Sequence, residues 1–289
     1  MKPAPFEYHA PDTIDGVLML LAEHGDAAKV LAGGQSLIPT MNFRLAQPSV
    51  LIDLGRLSEL AYIHPEVDGG LAIGAMTRQR TVERSADVAR RAPLVHMTMP
   101  FVAHPQIRNQ GTFGGSIAHA DPAAELPAVA AVLGVRCHIR SSRSNRTVPA
   151  DEFFTGLFAT ALEPDELLLE VGLPPVPPRT GFAFDEIARR HGDYALAGVA
   201  VRLTLDEAGS VEEARIVFLS VGEGPVAATR AEEALRGQTP GEDLFREAAR
   251  TAARDDIDPP RDIHASKRYR RHLAEVLAFR ALDKAFKSI

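Results

Sequence analysis

The sequence predicts an α+β protein in two parts, and three observations support this prediction. Helices and strands are mixed over residues 1–173, whereas three strands and then three helices follow residue 178. Residues 174–178 carry four prolines in five positions, which neither a helix interior nor a central strand tolerates. The 289 residues are enough for two or three domains with their own cores.

The chain begins with one helix and two short strands. Apolar side chains repeat at helical spacing over residues 14–21, and Asp12 or Thr13 can cap the N-terminus of this helix. Short apolar runs at residues 29–32 and 50–54 predict buried strands. The first of these strands leads directly into a pair of glycines.

The rest of the first part mixes hairpins with helices. Residues 61–74 predict a hairpin around an Asp-Gly-Gly turn, and residues 80–104 are typical of helix. A short apolar helix is predicted at residues 123–133, followed by strands at 135–140 and 167–172.

The second part separates its strands from its helices. Three strands are predicted at 182–189, 196–205 and 211–221, and three helices at 226–236, 241–254 and 264–286.

Composition narrows the classes of function. A net charge of -6 and a pI near 5.9 argue against a general binder of nucleic acid or anionic membranes. The single cysteine, Cys137, excludes a disulfide framework and a cysteine-ligated iron–sulfur cluster within this chain. It lies in an apolar alternation and is expected to be a buried apolar residue. No histidine pair has convincing metal-ligand spacing, so no metal site is expected. We predict a location in the reducing cytoplasm.

Two glycine-rich segments are the candidate binding motifs. They are Ala32-Gly33-Gly34-Gln35-Ser36 and Gly111-Thr112-Phe113-Gly114-Gly115-Ser116. Glycines let backbone N–H groups approach a diphosphate closely, and the Ser and Thr hydroxyls add donors. Two tight turns are the alternative interpretation of the same residues.

The longer strings around both segments resemble a known family. Residues 32–39, 42–46, 107–127, 189–195 and 269–273 resemble the FAD-binding medium subunits of molybdenum hydroxylases. This family includes the carbon monoxide dehydrogenase medium chain and the flavin domain of xanthine dehydrogenase. The resemblance implies a two-subdomain, PCMH-type FAD-binding domain at 1–55 and 56–175. A C-terminal domain with a three-stranded antiparallel sheet and helices is implied at 179–289.

The resemblance also implies FAD contacts along the chain. The first segment supplies Lys29, Val30, Leu31, Ala32, Gly33, Gly34, Gln35, Ser36 and Leu37. The opposing segment supplies Gly111, Thr112, Gly114, Gly115 and Ser116, and the flavin side is lined by Ala103 and Ile107.

Four further residues are assigned through the resemblance. Glu125 matches the acidic residue that holds the FAD ribose hydroxyls, and Leu168 matches a flavin-contacting position. Asp121 is a second acidic candidate, with an N-cap for a helix starting at Pro122 as the equal alternative. Tyr194 is predicted to wall the isoalloxazine ring, with core packing as the alternative.

One departure from the family concerns the first strand after the prolines. The family often carries a lysine shortly after the aromatic residue of this strand, whereas this chain has Phe184-Asp185-Glu186-Ile187. A cation near the flavin would stabilise its reduced form, so the redox potential and the acceptor are left open.

The function implied is electron transfer by an oxidoreductase subunit with no catalytic acid or base of its own. Electrons would come from [2Fe–2S] clusters of a small partner subunit and leave to an external acceptor. A large partner would hold the molybdenum cofactor, in a dimer of heterotrimers. The alternatives are a self-contained FAD oxidase or dehydrogenase, and a non-catalytic flavin-binding assembly module.

Overall fold

The computed structural model describes residues 1–289, whose strands form four sheets. The strands are β1 Glu7–His9, β2 Ala28–Leu31, β3 Val50–Asp53, β4 Ile63–Pro65, β5 Leu71–Gly74, β6 Arg136–Arg140, β7 Asn145–Pro149, β8 Phe154–Gly156, β9 Ala159–Thr160, β10 Leu167–Leu173, β11 Thr180–Ala188, β12 Ala195–Leu205, β13 Val211–Leu219 and β14 Val226–Ala227. The α-helices are α1 Ile14–His24, α2 Leu37–Asn42, α3 Gln79–Arg84, α4 Ala86–Arg91, α5 Pro93–Thr98, α6 Pro105–Gln110, α7 Phe113–His119, α8 Glu125–Leu133, α9 Ala150–Phe153, α10 Thr229–Leu235, α11 Glu242–Thr251 and α12 Lys267–Lys287. None of these helices combines the length and apolarity that crossing a membrane requires.

The N-terminal sheet is parallel, with the order β1-β3-β2. Helix α1 packs its apolar face, which includes Val17 and Leu21, into one core with Ile52. The Thr13 hydroxyl accepts the N–H of Gly16 at 3.1 Å and caps α1. The predicted helix and both strands are confirmed, and β1 is an additional strand.

The second sheet has five strands in the order β4-β5-β10-β6-β7, all antiparallel. The predicted hairpin of β4 and β5 is confirmed, and β10 lies at the centre of the sheet. Buried in β6, Cys137 is 0% exposed, and its burial raises the pKa of the thiol to about 12. The prediction that Cys137 is a buried apolar residue is therefore confirmed.

The region predicted as helix at 80–104 is broken into the helices α3, α4 and α5 and a 3-10 turn at Met99–Phe101. The Ser85 hydroxyl accepts the N–H of Val88 at 3.3 Å and starts α4. Pro93 starts α5, because proline has no N–H to continue the preceding helix. The apolar pattern suggests one helical region at 80–104, but Ser85 and Pro93 begin new helices within it.

The C-terminal sheet is antiparallel, with the order β11-β12-β13-β14. The three predicted strands are confirmed, but the sheet has a fourth strand of two residues, Val226 and Ala227, which pair with Phe218 and Val217. The helix predicted at 226–236 therefore begins at Thr229, because residues 226–227 complete the sheet instead.

The C-terminal sheet is covered on both faces. One face joins the 34-residue core of the first part, to which it contributes Phe182 and Phe184, and the other packs with α12 in a second core. The rings of Phe184 and Phe101 make an edge contact, with centroids 5.0 Å apart. This shared core places β11 against the helices of the first part.

Candidate functional site

The two glycine segments lie in contact with each other. A Cβ atom on Gly33 would lie 2.5 Å from the carbonyl oxygen of Gln110 and 2.7 Å from the Cα of Gly111. On Gly115, a Cβ atom would lie 3.4 Å from that of Ala32. Only glycine permits such an approach of two backbones at position 33. The structure therefore brings both predicted segments together.

The first segment presents a row of free backbone donors. The N–H groups of residues 33–37 have no acceptor within the protein. Gly34 has φ of +70°, a left-handed conformation that favours glycine, and helix α2 begins three residues later at Leu37. Successive N–H groups before a helix, with one residue in this conformation, form a concave site for an anion.

The resemblance implies that the second segment is a loop opposite the first, but this is wrong, because most of it forms the start of helix α7. Thr112 caps α7, its hydroxyl accepting the N–H of Gly115 at 3.1 Å, and Gly114 and Gly115 lie in the first turn of that helix. The N–H groups of Phe113 and Gly114 are bound to carbonyl oxygens of Thr77 and Ala75. These glycines therefore provide close packing instead of free donors. A Cβ atom on Gly114 would lie 2.5 Å from that of Ala75.

A cleft of about 480 Å³ opens beside the first segment. This volume is in the range of ligand pockets. Its walls include Gly33, Gly34, Asp53 and Arg78. The Arg78 guanidinium donates to the carbonyl oxygen of Gln110 and forms no ion pair with a carboxylate.

Arg78 was missed by sequence reasoning, because nothing in its local pattern distinguishes it from other surface arginines. It stands four residues after the strand that ends at Gly74, as the N-cap residue of α3. It also forms a β-bridge with Thr112. The signal is tertiary, since only the fold brings Arg78 to the cleft.

The predicted residues before the first glycine pair lie in β2, where Lys29 is exposed and Val30 and Leu31 are half-buried. Ala32, Gln35 and Ser36 follow in the half-buried segment, and the Gln35 amide donates to the carbonyl oxygen of Gly33 at 3.1 Å. In the second segment, Gly111 and Thr112 are buried, whereas Ser116 is half-buried.

Helix α7 connects the cleft to a group of acidic residues. It runs from the Thr112 cap to His119, and Asp121 and Glu125 follow. The Asp121 carboxylate accepts the N–H of Ala123 at 2.9 Å, but α8 begins only at Glu125 with Ala124 as its cap residue. Asp121 therefore closes the turn before α8, and the N-cap alternative is wrong.

Glu125 is the first residue of α8 and is half-buried. Burial raises the pKa of its carboxyl to about 7, and the neighbouring Asp121 charge adds to this increase. A hydrogen bond from its own backbone N–H and the positive charge of Arg108 oppose this increase. The Glu125 carboxyl oxygens can also accept hydrogen bonds from hydroxyl groups of a ligand.

Tyr194 and Leu168 are placed differently. Tyr194 is 63% exposed in the loop before β12, so the core-packing alternative for this residue is wrong. Leu168 is 3% exposed and packs in the core of the first part, next to a register shift in β10.

Ala103 adopts a left-handed conformation, with φ of +45°, between the Met99–Phe101 turn and α6, which carries the half-buried Ile107. The buried Arg108 guanidinium donates to the carbonyl oxygens of Val102 and Ala103 at 2.8 and 3.1 Å. The other two nitrogens, Nε and Nη2, donate to the two carboxylate oxygens of Glu83 at 3.0 and 3.1 Å. This bidentate pair holds the turn that carries Ala103, and hydrogen bonds from Arg108 lower the pKa of the Glu83 carboxyl against the opposing effect of burial.

Two family models together match almost the whole chain. Residues 4–176 match the FAD binding domain in molybdopterin dehydrogenase, and residues 182–285 match the CO dehydrogenase flavoprotein C-terminal domain. The chain belongs to this family of FAD-binding oxidoreductase subunits. The resemblance stated from the glycine segments is thereby confirmed, as are the fold class and the cofactor FAD.

Relatives within this family align end to end with the chain. The 6-hydroxypseudooxynicotine dehydrogenase complex subunit alpha of Paenarthrobacter nicotinovorans is 41% identical, covering 99% of this chain and 96% of that protein. The carbon monoxide dehydrogenase medium chain of Hydrogenophaga pseudoflava is 37% identical, with 99% coverage of both. A solved carbon monoxide dehydrogenase from that organism superposes with a TM-score of 0.95, covering 100% of this chain and 99% of that one.

The residues present fit FAD. The free N–H groups of residues 33–37 are hydrogen-bond donors, which suit the anionic oxygen acceptors of a diphosphate. Arg78 adds a positive charge in the same cleft. Glu125 supplies an acceptor for ribose hydroxyls, and Tyr194 an exposed aromatic ring. No group of three or more His, Cys, Asp or Glu side chains is arranged to hold a metal ion.

Proposed function

We propose that this chain binds one FAD and transfers electrons as one subunit of a heteromeric molybdenum hydroxylase. The electrons would come from [2Fe–2S] clusters in a partner subunit and leave to an external acceptor. The proposal depends on the close backbone contact between Gly33 and Gly111. Beside this contact, the five free N–H groups of residues 33–37 lie next to a cleft of about 480 Å³.

The protein's own task is to bind and orient the cofactor. FAD, when bound, supplies the redox chemistry by taking up electrons and releasing them. The segment at 33–37 and Arg78 would hold the diphosphate, and Glu125 the ribose hydroxyls. None of these roles needs a general acid or base, so no residue is proposed as catalytic.

The proposed partners follow from what this chain lacks. Its one cysteine is buried and cannot ligate a cluster, so the iron–sulfur centres must reside elsewhere. The names of the relatives, such as medium chain and complex subunit, describe parts of larger assemblies. We propose a large subunit with the molybdenum cofactor and a small iron–sulfur subunit, assembled as a dimer of heterotrimers.

The substrate is not determined by this chain. Relatives named for carbon monoxide, caffeine and a nicotine derivative align with it at 37%, 37% and 41% identity over nearly their whole lengths. One flavin-subunit fold therefore serves complexes with chemically unrelated substrates. We propose that specificity lies in the molybdenum subunit.

The function is tested by purifying the chain together with the partners encoded beside it. We expect one FAD per chain after release by denaturation, and an absorption spectrum with both flavin and iron–sulfur bands. Substrate should then reduce the flavin only in the complete complex. Flavin reduction by substrate in the isolated chain would favour a self-contained dehydrogenase, and failure to take up FAD would favour an assembly module.

The individual FAD contacts, the division at 1–55, 56–175 and 179–289, and the cytoplasmic location stay predictions. Mutation of single contacts, with FAD content as the measurement, addresses the first of these.

A further inference from the structure

The residue that follows β13, Ser220, has an uncommon backbone conformation. Its φ of +63° lies in the left-handed region that residues other than glycine seldom adopt. Strand β13 ends at Leu219, and Ser220 is 7% exposed. A residue keeps such a conformation only where its surroundings hold it there, so the contacts of Ser220 indicate what the conformation serves.

Two backbone hydrogen bonds hold Ser220 between the two parts of the protein. Its N–H donates to the carbonyl oxygen of Pro122 at 2.8 Å. Its carbonyl oxygen accepts from Nη1 of Arg270 at 3.2 Å. The Ser220 hydroxyl is buried and has no hydrogen-bond partner, so this link runs through the backbone alone. Ser220 therefore joins α12, which carries Arg270, to the turn before α8.

The Arg270 side chain forms a buried clamp at the start of α12. It lies in the first turn of this helix and is 5% exposed. Its guanidinium also donates to the carbonyl oxygen of Leu196 in β12 and, at 2.5 Å, to the carboxylate of Asp262. The other carboxylate oxygen of Asp262 accepts the N–H groups of His264 and Ala265, both at 2.8 Å. Because a planar guanidinium presents its donors in a fixed geometry, Arg270 holds the start of β12 and the end of β13 against α12.

The turn that Ser220 holds leads to the candidate site in two directions. Residues 121–124, which include Pro122, connect α7 with α8, and α8 begins with Glu125, the proposed ribose contact. In the other direction, α7 has seven residues and is about 10 Å long. Its first turn places Gly115 beside Ala32 of the first glycine segment. A shift of this turn would therefore move both Glu125 and the helix that packs on the glycine segment.

We propose that Arg270 is a positioning residue for the FAD site, which holds the turn of residues 121–124 through Ser220 and thereby fixes Glu125 and α7. The proposal rests on the proposed function, because it assigns to Arg270 an effect on bound FAD. Arg270 does not line the cleft, so it acts on the site only through these backbone contacts. The C-terminal part thereby determines how firmly the first part retains its cofactor.

The test uses the complete FAD-loaded complex with Arg270→Met, which keeps an unbranched apolar side chain but removes every donor. Arg271→Met is the matched control, because Arg271 is the next residue of α12 and its guanidinium donates to the carbonyl oxygen of Ile257 at 3.1 Å. The rate of FAD release is measured below the unfolding temperature of each variant. Deuterium exchange is followed in peptides covering 119–125 and 217–222, with 14–24 in α1 as the internal reference.

Arg270→Met is expected to release FAD about tenfold faster than the unmodified complex, the effect of about one lost hydrogen bond. Deuterium exchange should also be faster at 119–125 and 217–222 and unchanged at 14–24. Arg271→Met should match the unmodified complex in FAD release and in exchange at 119–125. Asp262→Asn, which removes the charge that binds Arg270, should change both measurements in the same direction as Arg270→Met but by less.

Unchanged FAD release in Arg270→Met, or unchanged exchange at 119–125, would overturn the proposal. Equal acceleration of FAD release in both arginine variants would also overturn it, since that result reflects a general loss of stability. If Arg270→Met does not assemble, Asp262→Asn decides the proposal by the same two measurements. Absence of FAD from the unmodified complex would instead refute the proposed function, so the two failures are distinguishable.

Discussion

At the level of single residues, Arg78 is the only cationic side chain among those lining the cleft beside Gly33. Its guanidinium contacts the carbonyl oxygen of Gln110, the same oxygen that approaches Gly33 most closely. One side chain therefore braces the contact between the two segments and adds positive charge to the cleft.

Arg78→Ala is expected to weaken FAD binding about 10- to 100-fold. A hydrogen bond to a charged group contributes about 1.5–3 kcal/mol, and about 1.4 kcal/mol corresponds to a factor of ten in affinity. Arg78→Lys should recover part of the loss by restoring the charge. Fluorescence titration of the FAD-free chain measures the affinity, with the exposed Arg261→Ala as control. Unchanged affinity in Arg78→Ala would remove Arg78 from the site.

At the level of elements, the two glycine segments have different structural roles. The first leaves its N–H groups free before α2, whereas the second uses its own N–H groups and packs α7 against Ala75. Two short elements thus share one site, one providing donors and the other a close-fitting wall.

Gly33→Ala is expected to lower both FAD content and stability. The added methyl group would clash with the backbone of Gln110 and Gly111, and such overpacking costs about 1–3 kcal/mol. Gly224→Ala is a matched control, because a Cβ atom there meets no other atom within 4 Å. Released flavin per chain and the thermal unfolding temperature are the measurements. Normal FAD content in Gly33→Ala would argue that the segments separate when FAD binds.

Sequence patterns located some elements and missed others for physical reasons. The first helix was predictable because its apolar spacing and its Thr13 cap are both local. Helix α7 was not, because Gly114 and Gly115 have low helix propensity, and Gly114 instead packs closely against Ala75, far away in sequence. Likewise, the glycine pair at 33–34 was visible in sequence, whereas Arg78 enters the site only through the fold.

At the level of the whole molecule, the core continues across the proline segment. Phe182 and Phe184 of β11 belong to the same core as Leu94 of α5 and Val129 of α8. The C-terminal sheet therefore packs against α8, the helix that begins with Glu125. The two parts share this core although residues 174–179, which connect them, contain no strand or helix.

Phe184→Ala is expected to cost about 3–5 kcal/mol in the free energy of unfolding and to weaken FAD retention as well. Phe245→Ala is the matched control, since Phe245 is 1% exposed but lies only in the second core. It should lose similar stability while retaining FAD in the folded state. Denaturant unfolding and flavin release report the two effects. Equal FAD retention in both variants would mean that the shared core does not support the site.

The unpaired amides of residues 33–37 have a practical consequence. Without a ligand they can bond only to water, so their hydrogens should exchange for deuterium within the time of ordinary mixing. A bound diphosphate would slow that exchange peptide by peptide. In an assembly, iron–sulfur absorption overlaps that of flavin and complicates a spectroscopic measure of FAD occupancy. Deuterium exchange at these five amides would report the fraction of subunits that hold FAD without relying on absorbance.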